Sequence, residues 1–204
     1  MGPFMRCAVG LTGVLLIAAA FGQVSPHKKN THASTELPHL VQKDGRWALM
    51  VDGAPYLMLG VQVNNSSAWP AMFPKVWPAV ERLRANTVEA PVYWEQIEPA
   101  KGHFDFSVVD ALLAAARERK LHLVLLWFGT WKNGASHYVP EWVKRDPITY
   151  PRLVGREGTV RDTMSPFGAA TMEADMAAFK ALMHHLRLSD AQHTVLMMQV
   201  ENES

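Results

Sequence analysis

Thr194-Val195-Leu196-Met197-Met198-Gln199-Val200-Glu201-Asn202-Glu203 is an apolar run that turns abruptly into two carboxylates flanking an amide. Its length and its β-branched and large apolar residues fit a strand buried on both faces, as in a parallel sheet. In α/β barrels the groups that do chemistry collect at the C-terminal ends of such strands. A solvated strand end has the same composition, so the stretches before it must decide between the two.

Upstream, helical and strand periods alternate. Pro74 opens a segment in which Val76, Val80 and Leu83 recur at helical spacing, and Thr87–Tyr93 follows as a short strand. A second helix starts at Ser107, with Asp110 completing a capping box and Val109, Leu112, Leu113 and Ala116 on one face. Leu121–Trp127 is the next buried strand. Ser165-Pro166 marks a third helix start, with Met172, Met176, Phe179, Met183 and Leu186 as its apolar stripe. Before all of these, Trp47–Val51 and Tyr56–Gly60 form a hairpin across Asp52-Gly53-Ala54-Pro55, and the second arm runs on through Val61-Gln62-Val63 toward a larger sheet. Strand alternating with helix is the pattern of a parallel sheet with right-handed crossovers. A doubly wound sheet fits it too. No glycine-rich phosphate loop follows the first strand, and polar and aromatic residues collect after strands, so the expectation is a (β/α)8 barrel. Such a barrel takes about 250 residues, and about four strands are found here. The expected fold is therefore a partial (β/α)8 TIM barrel, about its first four βα units, preceded by a β-hairpin and belonging to a longer chain.

Composition frames this without adding to it. The 204 residues carry a net charge of +1, which gives no bias toward nucleic acid or an acidic partner. Arg6 precedes the apolar stretch Cys7–Phe21, and small residues surround Phe21, so residues 1–22 are expected to be a secretory signal, with an uncleaved anchor as the alternative. Export would place the protein outside the cell or in a periplasm, off the membrane once the signal is cleaved. The sole cysteine, Cys7, lies in that stretch, which leaves the remainder without a thiol for a disulfide, a metal or a nucleophile. Residues 23–40 are polar and aperiodic and are expected to be a linker.

Two connections carry the candidate binding residues. One runs from Tyr93-Trp94-Glu95 through Pro99 and Gly102 to Ser107. The other, between Phe128 and Met164, holds Gly129-Thr130-Trp131-Lys132-Asn133-Gly134 and Tyr138-Val139-Pro140-Glu141-Trp142. A loop this long is functional or disordered, and this one is too aromatic for disorder. Trp127, Trp131 and Trp142, together with Trp94, offer flat apolar faces to sugar rings, and Lys132 and Asn133 offer hydrogen bonds to hydroxyls. The alternative for each tryptophan is core between helix and sheet. Glu98, just before Pro99, is expected to fix its loop by hydrogen bonds rather than pair with Glu95. Adjacent His184 and His185 diverge on a helix, and His122, His137 and His193 lack ligand spacing, so neither a metal site nor any other cofactor is expected.

The segment Trp94–Asp110, with Met198–Glu203 and Pro140-Glu141-Trp142, resembles the N-terminal half of the catalytic barrel of β-galactosidases in glycoside hydrolase families 35 and 42. These belong to a large clan of retaining glycosidases on (β/α)8 barrels. The resemblance spans residues 45 to 203 and implies that residues 41–204 are the N-terminal half of such a domain, acting on a carbohydrate. It places the catalytic acid/base on Glu203 and a sugar-hydroxyl contact on Asn202. Retaining hydrolysis needs one carboxyl to protonate the leaving oxygen and a second to attack the anomeric carbon, the two about 5 to 5.5 Å apart. Glu201 is two residues from Glu203 on a strand and projects to the same side, whereas acid and nucleophile flank the scissile bond. Glu201 is therefore given a supporting role at the substrate, and the nucleophile is expected on a later strand absent from this sequence.

The chain also departs from the family pattern. Thr87-Val88-Glu89-Ala90-Pro91 stands where relatives carry an arginine or tyrosine that holds substrate, and Ser204 stands where a tyrosine follows Asn-Glu. These changes bear on which sugar is held. A β-glucosidase, a β-mannosidase or an endo-acting enzyme of the clan is the runner-up to a β-galactosidase, and a carbohydrate-binding protein without catalysis is the alternative in kind.

Overall fold

The computed structural model describes residues 36–200. The expected signal segment and Glu201, Asn202 and Glu203 lie outside the described residues.

The described chain begins with a small antiparallel sheet, β1 (His39–Lys43), β2 (Arg46–Val51) and β3 (Ala54–Pro55). β1 starts inside the stretch expected to be linker. The turn between β2 and β3 is tighter than the expected Asp52–Pro55: Asp52 and Gly53 alone turn, with positive φ of 52° and 73°, as a two-residue hairpin turn of the favoured hand demands, and Ala54 and Pro55 already pair with β2. The second arm is shorter than expected: Tyr56 N still donates to Leu49 O (2.7 Å), and its side chain packs on the main sheet. Its hydroxyl donates to the Asn86 carbonyl (2.9 Å) and shares a hydrogen bond with Thr87 Oγ1 (2.8 Å), while its ring meets His122 edge-on.

The main sheet follows: β4 (Gly60–Gln62), α1 (Phe73–Arg82), β5 (Thr87–Tyr93), α2 (Trp94–Ile97), α3 (Ser107–Glu118) and β6 (His122–Phe128). The connection after β6 contains α4 (Glu141–Lys144) and the antiparallel pair β7 (Arg152–Val154) and β8 (Val160–Met164), then come α5 (Ala169–Ser189) and β9 (Val195–Gln199). The four strands β4, β5, β6 and β9 pair in chain order, all parallel. A doubly wound sheet reverses its strand order where its two halves meet, and no reversal occurs among these strands. The fold is mixed α/β with the strand sequence of a partial (β/α)8 barrel.

The two faces of this sheet differ. Trp127 on β6 meets Phe179 of α5, so Leu123, Leu125 and Trp127 point to the helices, and parallel register puts Val88, Ala90 and Val92 beside them. All six are buried, against Val109, Leu112, Leu113 and Ala116 of α3 among others. Each of the larger side chains contributes on the order of 1.5–3 kcal/mol by leaving water. On the opposite face Tyr93, Leu126 and Phe128 are buried near the C-terminal edge, but Gln62 and Gln199 are exposed, Glu89 and Val124 half-buried, and Met197 retains 42% of its surface.

Three helix details correct the sequence reading. In α1 the buried residues are Trp77 and Val80, whereas Leu83 stays exposed. At the start of α3 Ser107 is the first helical residue rather than the cap. Its N–H donates to Asp105 Oδ1 (2.8 Å), which replaces the expected Ser107–Asp110 box. Ser165-Pro166 forms a turn ahead of α5, which begins at Ala169. The buried face of α5 is Thr171, Asp175, Ala178, Leu182 and Leu186, with Met172, Met176 and Met183 exposed. The stripe is rotated because a buried carboxylate, invisible to hydrophobic periodicity, finds donors on the sheet.

The N-terminal edge of the sheet is tied by another carboxylate. Asp190, at the end of α5, accepts from the backbone N–H of Thr194 (2.9 Å) and Val195 (2.8 Å) and from Arg117 Nη2 (2.7 Å). Arg117 Nε donates in turn to Thr194 Oγ1 (2.9 Å). Asp190→Ala leaves these donors facing a void and is expected to cost about 3 kcal/mol, read as a lower urea midpoint. A loss under about 0.5 kcal/mol would contradict this role for Asp190.

Candidate functional site

The C-terminal edge of the sheet is where the connections after β4, β5 and β6 meet. On its uncovered face an aromatic cluster closes the sheet. Tyr93 stands edge-on to Phe128 with ring centroids 5.9 Å apart, and Tyr138 packs 5.1 Å from each of them. Tyr138 Oη donates to the Asn65 carbonyl (3.3 Å) and shares a hydrogen bond with Ser66 Oγ (3.1 Å), which binds the long β6 connection to the turn after β4. Tyr93 Oη accepts from the Ala68 N–H (3.3 Å), and burial drives its pKa far above the ordinary phenol value. Its hydroxyl stays protonated at neutral pH, and the ring serves as a packing group.

Lys132 and Asn133 reach this same face. Lys132 Nζ lies 5.3 Å from the Phe128 ring centroid, a cation over an aromatic face, and donates to Asn133 Oδ1. The backbone makes a tight hairpin here: Lys132 N donates to Ala135 O (2.8 Å) and Ala135 N to Lys132 O (3.1 Å). Asn133 and Gly134 take positive φ, 56° and 67°, the conformation for which Asn-Gly is suited. Asn133 is exposed at the tip, while Lys132 keeps only 7% of its surface.

The tryptophans divide differently from expectation. Trp94 is fully buried, its indole N–H donating to Glu98 Oε2 (3.0 Å), so neither face is open to a sugar. Trp142 stands edge-on to Trp94 and donates to the Glu98 carbonyl (3.0 Å). Glu98 Oε1 accepts from the Gly102 N–H (2.8 Å), so this carboxylate fixes its loop, as the sequence indicated. Trp127 is core between sheet and helix. Trp131 is half-buried, donates to the Met164 carbonyl (3.2 Å), and lines a cavity of about 360 Å³ beside α5 rather than the aromatic cluster. Of the described residues expected at a ligand, the structure therefore brings Lys132 and Asn133 together at the aromatic cluster, and it leaves Trp94 without an open face. Glu201, Asn202 and Glu203 follow β9 in the sequence and lie outside the described residues.

Sequence reasoning placed Tyr93, Tyr138 and Glu95 within the candidate connections but gave none of them a role at the site. Tyr93 ends a strand, a position that could have flagged it, but nothing local announces that Tyr138 folds back onto Phe128. Glu95 follows β5, half-buried, its N–H donating to the Tyr138 carbonyl (2.9 Å) and its Oε2 3.7 Å from Lys144 Nζ. Burial raises its pKa above the ordinary carboxylate value, outweighing the pull of Lys144, and Glu141 adds to the rise. Among the described residues no group of three or more His, Cys, Asp and Glu side chains is disposed to hold a metal ion.

No protein-family model matches the chain. In sequence it is similar to a β-galactosidase of Xanthomonas manihotis, 27% identical over 156 residues, which are 74% of this chain and 24% of that protein. It is also similar to Beta-galactosidase 7 of Oryza sativa subsp. japonica, 25% identical over 207 residues, covering 98% of this chain and 24% of that one. The chain thus spans about a quarter of the length of the curated relatives it matches. In fold it is similar to the exo-β-1,4-mannosidase Op5Man5 from Opitutaceae bacterium strain TAV5, with a TM-score of 0.50 at 21% identity over 74% of this chain and 26% of that structure. The likeness to the mannosidase bears on fold alone, and agrees with the strand order. The two sequence similarities support the relationship to glycosidases that the motifs suggested.

The raised pKa of Glu95 has a sign that can be tested. A carboxyl with a raised folded pKa holds its proton more tightly folded than unfolded. Its linked contribution is present below the unfolded value and lost as pH rises through the folded one. Glu95→Gln removes that dependence. The melting temperature of the variant minus that of the wild type is expected to be larger at pH 7 than at pH 4, and an equal difference at the two pH values would refute the assignment.

Proposed function

We propose that the full-length parent of this chain is a retaining β-glycosidase that hydrolyses terminal β-galactosides without a cofactor. The observation that carries this is the sequence of motifs on a barrel-ordered sheet: β9 leads directly into Glu201-Asn202-Glu203. The connections after β5 and β6, at the corresponding edge, carry Glu95, Lys132 and Asn133. Similarity to two proteins named β-galactosidases supports the galactoside over other sugars.

In this reading Glu203 protonates the glycosidic oxygen as the bond to the anomeric carbon breaks, while a carboxylate from a strand outside this sequence attacks that carbon from the opposite face. Glu203, now a carboxylate, takes a proton from the water that hydrolyses the glycosyl-enzyme, so the anomeric configuration is retained. Asn202 holds a sugar hydroxyl, and Glu201 supports by hydrogen bonding or by tuning the charge at Glu203. Lys132 and Asn133 border the path of the sugar at the aromatic cluster, Trp142 stands on the neighbouring connection with Trp94 beneath it, and Trp131, which lines the cavity beside α5, stands off that path. Residues 1–22 direct export, the stretch from residue 23 to the start of β1 is linker, and the small sheet β1–β3 precedes the first part of the catalytic barrel.

The test uses the full-length parent and 4-nitrophenyl β-D-galactoside. The wild type is expected to turn it over with retention, and Glu203→Gln to lower kcat about 100-fold or more. Unchanged turnover in the variant would remove the acid/base assignment. Saturable galactose binding with no turnover by the wild type would favour a binding protein.

A further inference from the structure

Helix α5 carries Asp175 in the middle of the face it presents to the sheet, where only 9% of the residue remains exposed. A carboxylate in that position costs free energy unless its oxygens are hydrogen-bonded. Here both are. Oδ1 accepts from the Trp127 indole N–H (2.7 Å), and Oδ2 accepts from the Thr130 backbone N–H (2.7 Å) and the Thr130 hydroxyl (2.5 Å). All three donors belong to one short piece of chain, the end of β6 and the turn that leaves it.

Gly129, between those donors, records how close the helix comes. A Cβ on Gly129 would lie 2.6 Å from Asp175 Oδ1 and 2.5 Å from Trp127 Nε1, distances at which something must move. Glycine at 129 and aspartate at 175 are two halves of one contact. Two residues beyond Thr130 stands Lys132, over Phe128, with Asn133 at the tip of the hairpin that follows.

We infer that Asp175 is a positioning residue: by gripping Trp127 and Thr130 from behind the sheet, it sets where Lys132 and Asn133 stand at the mouth to meet the hydroxyls of a saccharide. It touches no substrate and acts through Thr130. A neutral amide at 175 offers one acceptor oxygen in place of two, so either the indole or the Thr130 pair is released. The released turn keeps its hairpin but loses its tether to α5. The inference rests on Lys132 and Asn133 as sugar contacts, as in the function proposed above.

The test again uses the full-length parent, with Asp175→Asn, Thr130→Val and Thr130→Ser. Two measurements are made: amide hydrogen exchange resolved over residues 129–135, and kcat and KM on 4-nitrophenyl β-D-galactoside. Asp175→Asn is expected to speed exchange in 129–135 at least tenfold while the amides of β5 stay protected, and to raise KM about tenfold with kcat changed less than threefold, the pattern of lost ground-state and transition-state binding alike. Thr130→Val should move both readings in the same direction, and Thr130→Ser, which keeps the hydroxyl, should restore them. Should Asp175→Asn fail to fold, Thr130→Val examines the same grip from its other side. Unchanged exchange in 129–135 overturns the inference, as does faster exchange spread evenly through the protein, or a loosened turn with KM unaltered. A wild type that turns over no β-glycoside removes the proposed function and, with it, the saccharide half of this inference; the exchange measurement still decides whether Asp175 holds the turn.

Discussion

Parallel pairing in chain order is the constraint from which the rest follows. Four strands running the same way put all their C-terminal ends at one edge, and the twofold alternation of side chains sends every second residue to the helices. Leu123, Leu125 and Trp127 go one way, and Val124, Leu126 and Phe128 the other, with no intermediate choice. Helices cover the first set. The second set is left to the aromatic cluster at the edge, which is why Tyr138 has to return from a connection far down the chain to pack on Tyr93 and Phe128.

The strands and the order of elements were legible in the sequence, because both leave periodic traces. Thr87–Tyr93 is read without error, and the buried face of α3 is the one its spacing predicts. What escaped has no apolar period. The pair β7 and β8 is largely exposed on both sides, with Arg161 and Asp162 in place of inward-facing apolar residues, so its main trace is the turn glycines Gly155 and Gly158. The face of α5 escaped because methionines look more apolar than Thr171 and Asp175, yet donors on the sheet make the polar pair the buried one.

At the candidate site the same contrast appears. Lys132 and Asn133 are legible from the Asn-Gly turn and the density of aromatics around it. The roles of the tryptophans could not be told apart, since burial of an indole depends on whether its N–H meets an acceptor contributed by distant chain. Trp94 and Trp127 meet carboxylates, Glu98 and Asp175, and become interior. The buried carboxylates Glu98, Asp175 and Asp190 thus behave alike. Each accepts a backbone N–H from an irregular segment and so ties that segment to a regular element. The energetic reason is common to all, for a backbone donor withdrawn from water must be paired, and an ionised acceptor pairs it more strongly than a neutral one.

Strand order that follows chain order also bears on how the sheet is assembled. As the polypeptide leaves the ribosome, β5 emerges after its partner β4, and β6 after β5, so each pairing closes a modest loop onto an edge already made. The delay comes after Phe128. More than sixty residues separate it from Val195, and until α5 arrives the indole of Trp127 has no carboxylate and the helix-facing side of β6 is covered by α3 alone. That interval, between the birth of the third parallel strand and the docking of its covering helix, is when a nascent chain of this design most needs shelter from its neighbours.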